Sequence, residues 1–143
     1  MNSRLADEWE LRQLAYLYAR AMDRGDLATI DAIFTTDAVI ESSLRVQKGI
    51  EEIRGIPAML QKMFASTMHA VHNQTVAITG DTAEGETYGV AYQLMKPKDG
   101  KQLRLDWGLR YQDSFVRQNG AWRFKRRQLI IEWTQTVPVE MLR

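Results

Sequence analysis

Apolar residues near the start of the chain recur at three- and four-residue steps: Leu11, Leu14, Leu17, Tyr18 and Ala21. That spacing draws one stripe along a helix and predicts α-helix from Asp7 to Met22. Asp7 and Glu8 fall in its first turn, where carboxylates suit the exposed amides. Asp23-Arg24-Gly25-Asp26 breaks the stripe; Gly25 suits a left-handed stop and Asp26 a cap for a second helix, Leu27–Phe34. Short strands are predicted at Ala38–Ser42 and Leu44–Val46. A helical region between Ile50 and Ser66 follows, interrupted near Ile56 by Pro57.

Beyond Ser66 the period changes from helical to alternating. His69–Thr79, Ala83–Met95, Gln102–Arg117 and Ala121–Trp133 read as long strands. Gly80-Asp81, Pro97-Lys98-Asp99-Gly100 and Gln118-Asn119-Gly120 carry turn chemistry between them, which predicts antiparallel neighbours. Helices followed by consecutive strands make an α+β layout. Leu103, Leu105, Trp107, Leu109, Tyr111 and Phe115 share one parity of the third long strand. In the last strand Arg127 falls with Leu129, Ile131 and Trp133, and Arg126 with Phe124 and Ile130. Apolar groups on both faces imply helices over a concave side, an apolar pocket beneath them, and a homodimer or homotrimer contact on the outer side.

The remaining totals narrow the classes. A length of 143 residues suits a single domain, 1–143, and 45% hydrophobic with 26% charged residues excludes general disorder. Nineteen Lys and Arg against 18 Asp and Glu give no long-range pull toward nucleic acid. With no cysteine, disulfides and sulfur-ligated zinc are excluded. No stretch is apolar enough to predict a membrane span or signal peptide, so a soluble, cytoplasmic protein is expected. No glycine-rich phosphate loop, G-x-S-x-G elbow or H-E-x-x-H motif is present, and no cofactor or metal is expected.

Candidate chemistry centres on two histidines. His69 and His72 are three apart in one strand and point to opposite faces, so a shared metal is disfavoured. A histidine acting as a base needs a carboxylate on its second ring nitrogen. Asp23 is the candidate, because a carboxylate at a helix C-terminus needs a compensating partner; the alternative is a solvated loop aspartate. Arg127, in phase with apolar neighbours, requires a partner, either a substrate oxygen or an internal carboxylate. Tyr18, Tyr88, Trp107, Tyr111 and Trp133 have polar handles suited to a pocket, with Met22, Met59 and Met63 as adaptable walls.

Five segments, YARAMDRGD (Tyr18–Asp26), DAIFTTDAVIE (Asp31–Glu41), MHAVHN (Met68–Asn73), GDTAEGETY (Gly80–Tyr88) and NGAWRFKRR (Asn119–Arg127), resemble in order the SnoaL-like family of the NTF2-like superfamily. That branch includes scytalone dehydratase, a hexachlorocyclohexane dehydrochlorinase and a bile-acid dehydratase. The resemblance implies a cone-shaped α+β barrel, with N-terminal helices packed in a curved antiparallel sheet around an apolar cavity. It implies a catalytic pair of Asp23 and His69, with Asn73 completing an H-x-x-x-N pattern and His72 at a variable place. Arg127 matches an arginine that contacts substrate or leaving group, and Tyr18 a tyrosine beside the aspartate. Phe34 and Asn73 join the expected pocket. The chain has no histidine after His72, a departure from scytalone dehydratase, which uses a second pocket histidine. The expected function is a cofactor-independent lyase acting on an apolar, aromatic or polycyclic small molecule. The alternatives are an isomerase using the same base and a non-catalytic binding or accessory protein.

Overall fold

A computed structural model describes residues 3–142, so both ends of the expected 1–143 domain lie outside the described residues. Helix α1 runs Ser3–Arg24 and ends where Gly25 turns left-handed (φ 71°). Asp26 caps α2 (Leu27–Ile33) by accepting from the Thr29 backbone N–H at 3.1 Å and its hydroxyl at 2.7 Å. Phe34 is not helical but extended: it caps α2, its backbone N–H donating to the Ile30 carbonyl, and opens strand β1 (Phe34–Glu41), which pairs with β2 (Val46–Lys48). The third helical region splits at Gly55 into α3 (Ile50–Arg54) and α4 (Ile56–Met63), with Pro57 in the first turn of α4, where its missing N–H costs nothing. Strands β3 (Ser66–Thr79), β4 (Thr82–Leu94), β5 (Leu103–Gln118) and β6 (Ala121–Pro138) form an antiparallel meander.

The α+β layout is observed, but the cone-shaped barrel and the all-antiparallel sheet are corrected. The six strands are ordered β2-β1-β6-β5-β4-β3, and β1 runs parallel to β6. The sheet is mixed, is not closed and is not strongly curled. Closure would need the two edge strands to pair. β2 has three residues, and α1 and α4 pack beside β3 instead. The parallel pairing follows from connectivity: β1 and β6 are joined through the whole meander, so no tight turn forces them antiparallel.

Leu11, Leu14, Tyr18, Ala21 and Met22 of α1 pack onto Leu109, Tyr111, Phe115 and Phe124 of the sheet's inner face. Leu17 lies off this stripe and is exposed. Bulges then decide what strict alternation could not. Phe115 pairs with Phe124 while Ser114 pairs with Arg126, so the extra Lys125 turns Phe124 inward and Arg126 outward. A second bulge, at Glu132, sends Trp133 to the outer face against Gly108, although it shares the sequence parity of Ile131. A third, at His72–Asn73, keeps Gln74 inward to bond Thr87 and the Leu11 carbonyl. Among the described residues, no helix is long and apolar enough to cross a membrane.

Close approach of strands makes two glycines unequal. A Cβ at Gly89 would lie 2.6 Å from the Ala70 carbonyl oxygen, which is backbone, whereas one at Gly108 would meet the half-exposed Trp133 ring. Gly89→Ala is expected to destabilise by about 1–3 kcal/mol in urea unfolding. Gly108→Ala is expected to cost less and to change tryptophan fluorescence as Trp133 swings away.

Candidate active site

α1 carries Asp23 to its second-last position, at the negative end of the helix dipole. Three donors from β3 reward that placement. The Thr67 hydroxyl donates to Oδ1 at 2.8 Å, the His69 backbone N–H to Oδ2 at 2.9 Å, and the His69 ring meets Oδ1 through Nδ1 at 2.6 Å. Burial pushes the Asp23 carboxyl upward, but His69 and Thr67 together outweigh it and hold the group below its ordinary value. An ionised carboxylate can only accept, so Nδ1 donates to it, and in the neutral ring the lone pair then falls on Nε2. No protein group occupies Nε2 among the described residues.

His69 lines a cavity of about 320 Å³ between α4 and the inner face of the sheet. Ile56, Met59, Leu60 and Met63 supply the helix wall; Ala91, Trp107, Leu109 and Leu129 supply the sheet wall. The β1–β2 hairpin forms its mouth with Ser42, Leu44, Arg45 and Gln47. Tyr18 and Tyr111 line it too, with ring centres 5.7 Å apart, edge to face. Neither phenol has a protein hydrogen bond, and no buried side-chain polar atom sealed from solvent lacks a partner, so both hydroxyls open into the cavity. Burial raises both phenol pKa values, that of Tyr111 strongly, against the opposing charge of Arg127. Both therefore remain donors at neutral pH. A shallow groove with Tyr16, Arg20 and Val71 touches the other side of the Asp23–His69 pair.

Arg127 is 1% exposed and binds Asp113 through two hydrogen bonds of 2.9 and 3.2 Å. Its guanidinium carbon lies 4.3, 3.8 and 4.5 Å from the ring centres of Tyr18, Tyr111 and Phe124. Burial works against its charge, but Asp113 and Tyr111 outweigh it and keep the group above its ordinary value. Of the two readings open from sequence, the internal ion pair is the one observed. Arg127 stands behind the two tyrosines and does not line the cavity.

Seven of the expected residues therefore share the cavity: Tyr18, Met22, Met59, Met63, His69, Trp107 and Tyr111. Asp23 stands behind His69. Phe34 is buried in the core beside Phe124, with ring centres 5.1 Å apart, rather than in the cavity wall. Tyr88, Trp133 and His72 lie together in a groove on the outer face, and Asn73 is exposed in the β3 bulge. The pattern H-x-x-x-N gave no sign of that bulge, and helical or strand parity placed Tyr88 and Trp133 only relative to near neighbours. Thr67, Gln93, Asp113 and Arg45 are among the residues that went unnoticed. Thr67 shares the strand parity of His69, which is a usable signal. Gln93 lines the cavity at 2% exposure; its Nε2 donates to the Leu105 carbonyl at 3.4 Å, and among the described residues no donor reaches its Oε1. Its signal was a polar residue in phase with Ala91.

The chain belongs to the SnoaL-like family: the SnoaL-like domain matches residues 3–128. It is similar to an uncharacterized protein of Mycobacterium tuberculosis, 31% identical over 127 residues that cover 86% of this chain and 84% of the relative. Its fold is similar to that of a Novosphingobium aromaticivorans protein assigned as a scytalone dehydratase, with TM-score 0.83, 18% identity, and coverage of 97% of this chain and 93% of the other. A hexachlorocyclohexane dehydrochlorinase has TM-score 0.80 and 17% identity over 97% of this chain and 93% of its own.

Removing three donors' common acceptor should be costly. Asp23→Asn is expected to lose about 1–3 kcal/mol at pH 7, measured by urea unfolding. The folded carboxyl is held below its unfolded value, so its stabilisation is complete above that value and is lost as pH falls through the folded one. The unsubstituted protein should therefore lose stability below about pH 4, and Asp23→Asn should show a shallower acid limb. Arg127→Met strands Asp113 in the interior and is expected to cost about 3–5 kcal/mol; adding Asp113→Leu should recover part of it.

Proposed function

We propose that the chain is a cofactor-independent lyase for an apolar small molecule, with His69 as general base. The observation that carries this reading is the 2.6 Å Asp23–His69 contact beside an apolar cavity, with Nε2 free to act. His69 Nε2 takes a proton from a carbon next to a carbonyl, and the C–H electrons move toward the carbonyl oxygen. Asp23 stabilises the imidazolium that forms. Tyr18 and Tyr111, two protonated donors, steady the oxygen as its charge grows. Collapse of the enolate expels hydroxide or halide from the neighbouring carbon, and the imidazolium returns its proton to a departing hydroxide as water. Apolar walls exclude bulk water and strengthen these contacts. Arg127 takes no proton; it holds the two tyrosine rings in place through their faces.

Two proteins that share this fold carry elimination in their names, a scytalone dehydratase and a hexachlorocyclohexane dehydrochlorinase, which accords with a lyase reading. The same base and donors serve an isomerase, which returns the proton to another carbon of the enolate. The half-exposed Tyr88 and Trp133 support a homodimer or homotrimer contact on the outer face.

Fused-ring β-hydroxy ketones test the reading, with enone absorbance and loss of water mass as readouts. His69→Ala leaves Asp23 its Thr67 and backbone donors and so should fold, yet it is expected to lose about 10²–10⁴-fold in rate. An unchanged rate contradicts the proposal, and a product of unchanged mass moves it to the isomerase.

A further inference from the structure

Among the described residues, the cavity lining contains no Asp or Glu and one permanent cation, Arg45. Arg45 sits at the mouth, on the turn between β1 and β2. Ser42 fixes that turn: its hydroxyl oxygen accepts from the Leu44 and Arg45 backbone N–H groups, both at 3.1 Å, and its own N–H donates to the Arg45 carbonyl at 2.8 Å. The guanidinium is thereby laid across α4, where Nη1 contacts the Met59 sulfur and Nη2 lies 3.6 Å from that of Met63. Thioethers are weak acceptors, and no carboxylate pairs with this arginine among the described residues. By contrast, Arg54 pairs with Asp31 and Arg126 with Glu41.

An unpaired guanidinium at the rim of an apolar, acid-free hollow focuses positive potential on whatever enters. Its planar donor fork matches the two oxygens of a carboxylate. We propose that Arg45 selects the ligand: the molecule taken by this cavity is amphipathic, with an apolar ring body inside and a carboxylate-like oxyanion at the mouth against Arg45. This deepens the lyase reading by naming the substrate class, and rests on it only for the chemistry that follows binding.

Two fluorescent probes of one ring system isolate the head group: 1-anilinonaphthalene-8-sulfonate, an oxyanion, and the neutral N-phenyl-1-naphthylamine. Titrations of the full chain are expected to show a preference for the anionic probe that shrinks with salt. Arg45→Gln should weaken the anionic probe about tenfold and leave the neutral one unchanged, and Arg45→Lys should keep part of the preference. Arg45 is exposed, so neither change threatens folding. His69→Ala should retain the preference whether or not His69 proves to be a base, which separates this test from that of the reaction. Equal affinities in the unsubstituted protein, or a preference that survives Arg45→Gln, would overturn the proposal. A preference lost in His69→Ala would also overturn it, by assigning the anion to the imidazole.

Discussion

One carboxylate ties the two halves of the molecule together. Asp23 lies at the end of α1, and Thr67 and His69 begin the long meander; the three hydrogen bonds between them join segments more than forty residues apart. Without those donors the anion would sit at the wrong end of a helix dipole and partly out of water. With them, its charge is secured and the imidazole is locked in one tautomer and one orientation. The same interaction that docks α1 on β3 therefore orients the His69 ring beside the cavity, so stability and the geometry of the site are coupled at this point.

A second constraint lies one layer deeper. Arg127 and Asp113 are both buried, at 1% and 2% exposure, in a position where isolated charges would be costly. Tyr18, Tyr111 and Phe124 surround the guanidinium with ring faces, and Asp113 satisfies its fork. This box fixes the two phenols whose hydroxyls open into the cavity. The cavity thus has three kinds of wall: rigid aromatic donors backed by a cation, pliable methionines on α4, and a hairpin mouth carrying Arg45.

Much of this was legible in the residues. The stripe of α1, the Gly25 stop, the Asp26 cap and the four long strands follow from local spacing, and Asp23 stood out because its position needed a partner. What sequence could not show were features set by other parts of the chain. The parallel pairing of β1 with β6 and the open edges depend on global connectivity. Trp133 left the inner face because one extra residue, Glu132, reversed the alternation after Ile131. Arg127 kept its inward direction, but its partner Asp113 lies on the adjacent strand, opposite it in a register that the Lys125 bulge sets. Thr67 and Gln93 share the strand parity of His69 and Ala91, a signal in the residues, but which face of the meander met the carboxylate and the cavity was set by the rest of the fold.

The tautomer of His69 is the most direct test of the central contact. Nitrogen-resolved NMR of the neutral imidazole should show the hydrogen on Nδ1 and a bare Nε2, and Asp23→Asn should disturb that assignment. A neutral ring protonated on Nε2, or a spectrum indifferent to Asp23→Asn, would contradict the account.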